Sequence, residues 1–266
     1  MAVLRCDFFS EALGLSTSMT VILPQRTASP DGQVGASAPT PPPVLYLLHG
    51  LSDDATTWLR RTSLERYVAP LGIAVVMPQV HRSYYTDESY GGRFWTHLSE
   101  EVPSVAQEFF RLSTRREETF VAGLSMGGYG AMKWALRQPE RFAAAASLSG
   151  ALDVASRRTQ RFRPEDPRMF QRIFGDLPVR GTRDDLLRLV AGVDPARLPA
   201  LKLWCGMQDG LVVANERFRD ACVAAGTPVE LVLGPGTHDW AYWDARIQDV
   251  LAWLPLPGAG PRTSPP

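Results

Sequence analysis

The sequence is poor in cysteine: 266 residues hold only Cys6, Cys205 and Cys222. They are odd in number and far apart, which excludes a disulfide framework and a clustered zinc pattern. A reducing compartment, the cytoplasm, is the expected location. Net charge is also missing, with 28 basic against 28 acidic residues, so neither a nucleic acid nor an anionic membrane is indicated as a partner. No apolar run approaches the length of a membrane span. The opening MAVLRCDFFSEALG is interrupted by Arg5, Asp7 and Glu11, unlike the apolar centre of a signal peptide. Internal repeats are absent. Histidine is scarce, with His49, His81, His97 and His238 alone available for acid–base work.

What is present is an alternation. Continuous apolar runs at 44–48, 73–77, 119–122, 143–148, 201–205 and 229–233 read as strands buried on both faces. Helical candidates lie near 56–68, 98–112, 127–137, 183–191, 211–225 and 240–253. This order implies an α/β domain built on a mainly parallel, doubly wound sheet with helices on both faces. Residues 2–10 and 17–23 read as an antiparallel pair at a sheet edge. The Pro- and Gly-rich stretch 24–43 reads as a mobile loop, and 256–266 as a frayed tail. One domain over 1–255 is expected. The arginine-rich stretch 151–200 interrupts the alternation and is expected to form a short cap, most of its arginines being paired at the surface.

The chain is organised around 119–137, TFVAGLSMGGYGAMKWALR. Within it, Gly123-Leu124-Ser125-Met126-Gly127 matches G-x-S-x-G, a sharp turn from strand to helix with the serine at its apex. An apolar strand precedes it, and a helical segment stopped by Pro139 follows. A serine hydroxyl needs a base, and the base needs an orienting acid. The chain order for this elbow is serine, acid, histidine. Only His238, in a Gly-rich loop after a strand, follows Ser125. Asp209, in the turn after the 201–205 strand, is the expected acid. Asp239 is too close in sequence to face His238 well. Met126 and Leu51 are the expected backbone donors to the oxyanion, with Gly50 allowing close approach and His49 shaping the loop. The aromatic stretch 84–95 should leave the sheet on the same edge. Tyr84, Tyr85, Tyr90, Phe94 and Trp95 are therefore expected to form an apolar pocket wall together with Gly50, and Phe94 is as well suited to the core.

Leu47-Leu48-His49-Gly50-Leu51, Trp58 in TTWLRRTSLER, YYTDESYGGRFWT, GLSMGGYGAM and Thr237-His238-Asp239-Trp240 together resemble the esterase D group of α/β-hydrolases. The likeness spans roughly 3–253 and is nearest to bacterial tributyrin-esterase-like carboxylesterases. It implies an α/β-hydrolase fold and a serine hydrolase of short acyl esters, with Ser125, Asp209 and His238 as triad and the Leu51 and Met126 amides as oxyanion hole. It implies no metal or organic cofactor, a small-molecule ester as partner, and a possible homo-oligomer. S-formylglutathione hydrolases are similar too, but usually carry a cysteine shortly after the His-Gly-Leu loop, where this chain has Ser52-Asp53-Asp54-Ala55. Feruloyl esterases and mycolyltransferases share the fold, leaving thioesterase, feruloyl esterase and acyltransferase as alternatives.

Overall fold

The apolar runs become the centre of one eight-stranded sheet, because a strand covered on both faces has no polar side to present. The computed structural model describes residues 1–25, 27–28, 34–35, 41–157 and 168–256. The strands are β1 (Ala2–Ser10), β2 (Leu15–Leu23), β3 (Val44–Leu48), β4 (Ala74–Pro78), β5 (Thr119–Leu124), β6 (Ala144–Leu148), β7 (Ala200–Gly206) and β8 (Val229–Gly234). Their spatial order is β1-β2-β4-β3-β5-β6-β7-β8. β1 pairs antiparallel with β2 from Ala2↔Leu23 to Ser10↔Leu15 at the expected edge. β2 is also antiparallel to β4, and the other neighbours are parallel.

Every residue of β3, β4, β5 and β6 is buried. Because side chains alternate between faces, each strand feeds two cores. Val44, Tyr46, Leu48, Val76 and Val121 point to one, while Leu45, Leu47, Val75, Phe120 and Leu124 point to the other. Helices α1 (Thr57–Arg61) and α2 (Leu64–Val68) cover the second core. Helices α3 (Val102–Phe109), α4 (Met126–Arg137), α5 (Met169–Phe174), α6 (Leu186–Gly192) and α7 (Val212–Ala224) cover the first. The last helix, α8 (Trp240–Trp253), returns to the second core through Ile247, Val250 and Leu251.

Two helices differ from the sequence reading. The helix read at 56–68 is broken, because Thr62 is extended and its hydroxyl donates to the Trp58 carbonyl at 2.6 Å. Asp244, on α8, accepts from the Ser63 N–H, so a distant helix holds the break open. The helix read at 98–112 begins earlier, at Phe94, and passes through a π turn, His97–Glu101, before α3. Glu101 accepts the Glu11 N–H at 2.6 Å and contacts His97 Nδ1 at 2.6 Å, so this turn ties down the β1–β2 hairpin.

Of the expected loop 24–43, Thr27–Ala28 pairs with Val34–Gly35, and most of the remainder lies outside the described residues. So do 158–167, within the expected cap, and all of the expected tail beyond 256. In the described part of 151–200, Arg172 and Arg180 form ion pairs. Arg180 bridges Asp153 and Asp185 at 2.8 and 3.2 Å, and Arg172 pairs with Glu88.

Candidate active site

Four chain segments leave the C-terminal ends of parallel strands side by side: His49–Leu51 after β3, Ser125 after β5, Asp209 after β7 and His238 after β8. At the β5 exit the turn is tight. Ser125 has φ +52° and ψ −114°, a backbone state rarely adopted by a residue with a Cβ. The flanking glycines are a steric requirement. A Cβ on Gly123 would lie 2.4 Å from the Gly127 carbonyl carbon, and one on Gly127 would lie 2.4 Å from the Leu48 oxygen. Backbone bonds hold the strained residue: its N–H donates to the Leu148 carbonyl at 2.9 Å, and its carbonyl accepts from Ala151 at 3.0 Å.

The Ser125 hydroxyl is 3.0 Å from His238 Nε2, and His238 Nδ1 is 2.8 Å from Asp209 Oδ2. A carboxylate only accepts, so Nδ1 carries the proton and Nε2 is left to accept from the serine. Trp243 meets the imidazole edge-on, centroids 4.9 Å apart. The Asp209 side chain is fully buried. Burial by itself raises its pKa, but the hydrogen bond and charge of His238 and the Leu211 N–H (2.8 Å) outweigh it, leaving the carboxyl below its ordinary range. Asp239 is engaged elsewhere, accepting from the Tyr242 N–H at 2.9 Å as the cap of α8.

The loop after β3 is fixed peptide by peptide. The His49 carbonyl accepts from the Tyr85 hydroxyl at 2.8 Å, and the Gly50 N–H donates to Asp53 at 3.1 Å. The Gly50 carbonyl accepts from His49 Nδ1 at 2.8 Å and from the Asp53 N–H at 3.2 Å. With that carbonyl held by two donors, the opposed Leu51 N–H of the same trans peptide has a set direction. His49 Nε2 accepts from the Val80 N–H. Burial pushes this imidazole down to about 4, against a smaller opposing effect of the Gly50 carbonyl, so it is neutral.

These groups open on a cleft of about 640 Å³ lined by Gly50, Leu51, Tyr84, Leu124, Ser125, Asp209, Leu211, His238, Trp240 and Trp243, among others. Tyr84 and Gly50 thus lie where the sequence reading put them. Trp95 does not line the cleft, and neither do Tyr85, Tyr90 and Phe94. Trp95 is buried beneath the Arg137 guanidinium, 3.9 Å from the ring centroid, because the turn that carries it packs on α4. No described residue of 151–200 lines the cleft either; Phe170 and Phe174 stand behind Tyr84, 5.4 and 6.0 Å between centroids. The reading missed Leu211, Trp240 and Trp243. The two tryptophans are three apart at the start of α8 and pack edge-on at 5.2 Å, a spacing that puts both on one helix face. Among the described residues, no cluster of His, Cys, Asp and Glu could hold a metal, and no helix is long and apolar enough to cross a membrane.

A serine on a strained strand-to-helix turn, linked through histidine to a buried aspartate at the carboxyl edge of this sheet, defines the α/β-hydrolase class. The family model described as "Putative esterase" matches residues 10–254. The chain is 29% identical over 268 residues to an acetyl esterase of Caldicellulosiruptor saccharolyticus, covering 96% of this chain and 98% of that protein. It is similar to the substrate-bound structure of FphF, fluorophosphonate-binding serine hydrolase F of Staphylococcus aureus: 34% identity, TM-score 0.85, 96% and 98% of the two chains. The S-formylglutathione hydrolase FrmB of the same organism matches at 34% identity and TM-score 0.82 over the same shares. This chain belongs to the esterase family so described and is a carboxylic ester hydrolase.

Proposed function

We propose that the protein is a serine carboxylesterase that hydrolyses short-chain acyl esters through an acyl-serine intermediate. The observation that carries this is the unbroken path from Ser125 Oγ to His238 Nε2 and from His238 Nδ1 to Asp209, at 3.0 and 2.8 Å. Ser125 Oγ attacks the ester carbonyl carbon while Nε2 takes the hydroxyl proton. The buried Asp209 carboxylate faces the imidazolium that results. The carbonyl oxygen, now negative, receives the Leu51 and Met126 N–H groups. The bond to the alcohol then breaks, and Nε2 gives its proton to the departing oxygen. Water enters, loses a proton to Nε2 and attacks the acyl carbon. Ser125 leaves as the acid is released and recovers its proton from His238.

Gly50 and Tyr84 line the substrate cleft with Leu211, Trp240 and Trp243, and these rigid rings favour a small acyl group over a long one. Three free cysteines, two of them buried, suit a cytoplasmic enzyme. The test is direct. A fluorophosphonate should label Ser125 alone, and Ser125→Ala should abolish p-nitrophenyl acetate turnover with the fold retained. Label on another residue, or undiminished turnover, would count against the assignment.

A thioester substrate is the second reading, favoured by the 34% identity to the S-formylglutathione hydrolase. The same nucleophile would attack a thioester carbonyl, with a thiol leaving in place of the alcohol. Comparing kcat/KM for S-formylglutathione and p-nitrophenyl acetate separates the two. Added alcohol that diverts product from acid to ester would instead identify an acyltransferase.

A further inference from the structure

The aromatic stretch that follows β4 contains a backbone anomaly that the proposed chemistry does not use. Tyr84 and Tyr85, neither of them glycine, have φ of +50° and +52°. A positive φ brings the Cβ of such a residue against the backbone, so the surroundings must impose it. The restraints come from α4. Lys133 is fully buried on that helix, and its Nζ donates to the Tyr85 carbonyl at 2.9 Å and to Thr86 Oγ1 at 2.8 Å. Its charge is balanced by Asp184 at 2.6 Å. Gly130, one turn earlier, admits the Tyr85 ring: a Cβ there would lie 2.5 Å from Tyr85 Cδ2. Gly127, three residues before that, is pressed on the Leu48 and His49 carbonyls. These three positions recur every third residue and so share one face of α4.

The fully buried Tyr85 side chain returns this restraint to the site through its hydroxyl, 2.8 Å from the His49 carbonyl. We propose that Tyr85 is a positioning residue for the oxyanion loop: its hydroxyl holds the His49 carbonyl and so fixes the His49–Gly50 peptide, from which the Leu51 N–H, one peptide further on, is aimed at the ester oxygen. Lys133 holds Tyr85 in the required backbone state. One helix thereby sets both oxyanion donors, because Met126 begins α4 while Gly127, Gly130 and Lys133 fix the loop that carries Leu51. This role rests on the reading of Leu51 as an oxyanion donor in an acyl-serine mechanism.

Tyr85→Phe keeps the ring and removes the hydroxyl. Misaiming a donor should cost less than deleting one, which lowers rates by about a hundred- to a thousandfold. The variant is therefore expected to lose on the order of tenfold to a hundredfold in kcat for p-nitrophenyl acetate, with KM within about twofold. Active sites are counted by fluorophosphonate titration, and the rate of that labelling should fall with kcat. Lys133→Gln, which loosens Tyr85 without removing the hydroxyl, should lower kcat per titrated site in the same direction. This second variant decides between the outcomes where Tyr85→Phe gives no titratable protein. A kcat per titrated site within twofold of wild type, with only the yield or melting temperature reduced, would overturn the positioning role. If wild type itself takes no label at Ser125, the esterase reading fails instead.

Discussion

Asp209 and His49 occupy buried positions for opposite electrostatic reasons, and each gives a distinct test. Asp209 holds the Nδ1–H tautomer of His238, so Asp209→Asn should present an amide N–H to Nδ1 and leave Nε2 protonated. A protonated Nε2 cannot accept from Ser125. The expected loss in kcat is on the order of 10³- to 10⁴-fold with little change in folding, measured on the purified variant; near-normal activity would transfer the role to another carboxylate. His49 is buried neutral, its pKa pushed down to about 4 by burial. An unfolded histidine takes a proton near pH 6.5, so between about 6.5 and 4 the unfolded chain binds more protons than the folded one. Stability from this group is therefore complete above the unfolded value and is lost as pH falls toward the folded one, by at most about 3 kcal/mol. Urea unfolding at pH 7 and pH 4.5 should show a larger loss for wild type than for His49→Gln, whereas equal losses would assign the acid sensitivity to other groups.

At the scale of elements, the site depends on how closely α4 approaches the ends of β3 and β5. The atoms that a Cβ on Gly127 would meet are backbone oxygens of Leu48 and His49, at 2.4 and 2.8 Å, which no side-chain rotation can relieve. Gly127→Ala should therefore push the helix off the sheet and disturb Ser125 and the loop of His49 together. A loss of roughly 1–3 kcal/mol in stability is expected, as for other overpacked positions, with a larger proportional loss in fluorophosphonate labelling rate. Wild-type stability and labelling in that variant would mean that the approach has slack. The broken α1–α2 segment and the π turn before α3 are also tertiary products. Asp244 holds the first and Glu101 the second.

For the whole molecule, the relevant quantity is the apolar surface offered to a lipid interface. Lipases need a broad exposed apolar face, which soluble proteins seldom carry. Arg172 and Arg180 of the 151–200 segment form ion pairs with Glu88, Asp153 and Asp185, and the apolar rings beside the site, Trp243 and Tyr84, are buried. Each further methylene of an acyl chain gains about 0.8 kcal/mol only while the cleft has room for it. In a series of p-nitrophenyl esters below micelle formation, kcat/KM is expected to peak at about two to four acyl carbons by this balance of burial against fit. A maximum at about eight or more, or activation at an oil–water interface, would point to a lipase.

Much of this was legible in the sequence because its signals are local. Continuous apolar runs mark strands buried on both faces, and G-x-S-x-G is a steric signature whose two glycines meet backbone atoms in the folded chain. Chain order and the scarcity of histidine singled out Ser125, Asp209 and His238, and the folded chain brings them into one hydrogen-bonded line. Trp95 shows where local reading stops. It shares a segment with Tyr84, but direction depends on the left-handed turn at Tyr84–Tyr85 and on the face of α4 that receives each ring. Leu211, Trp240 and Trp243 reach the cleft because α7 and α8 dock beside the ends of β7 and β8. Lys133 looks like one more polar residue in a helix until Tyr85, Thr86 and Asp184 surround it. The sequence by itself determined the strands and the elbow with Ser125 at its apex. Which aromatic rings face the cleft, and how the loop of Leu51 is held, were decided only by tertiary packing, since those contacts join residues far apart in the chain.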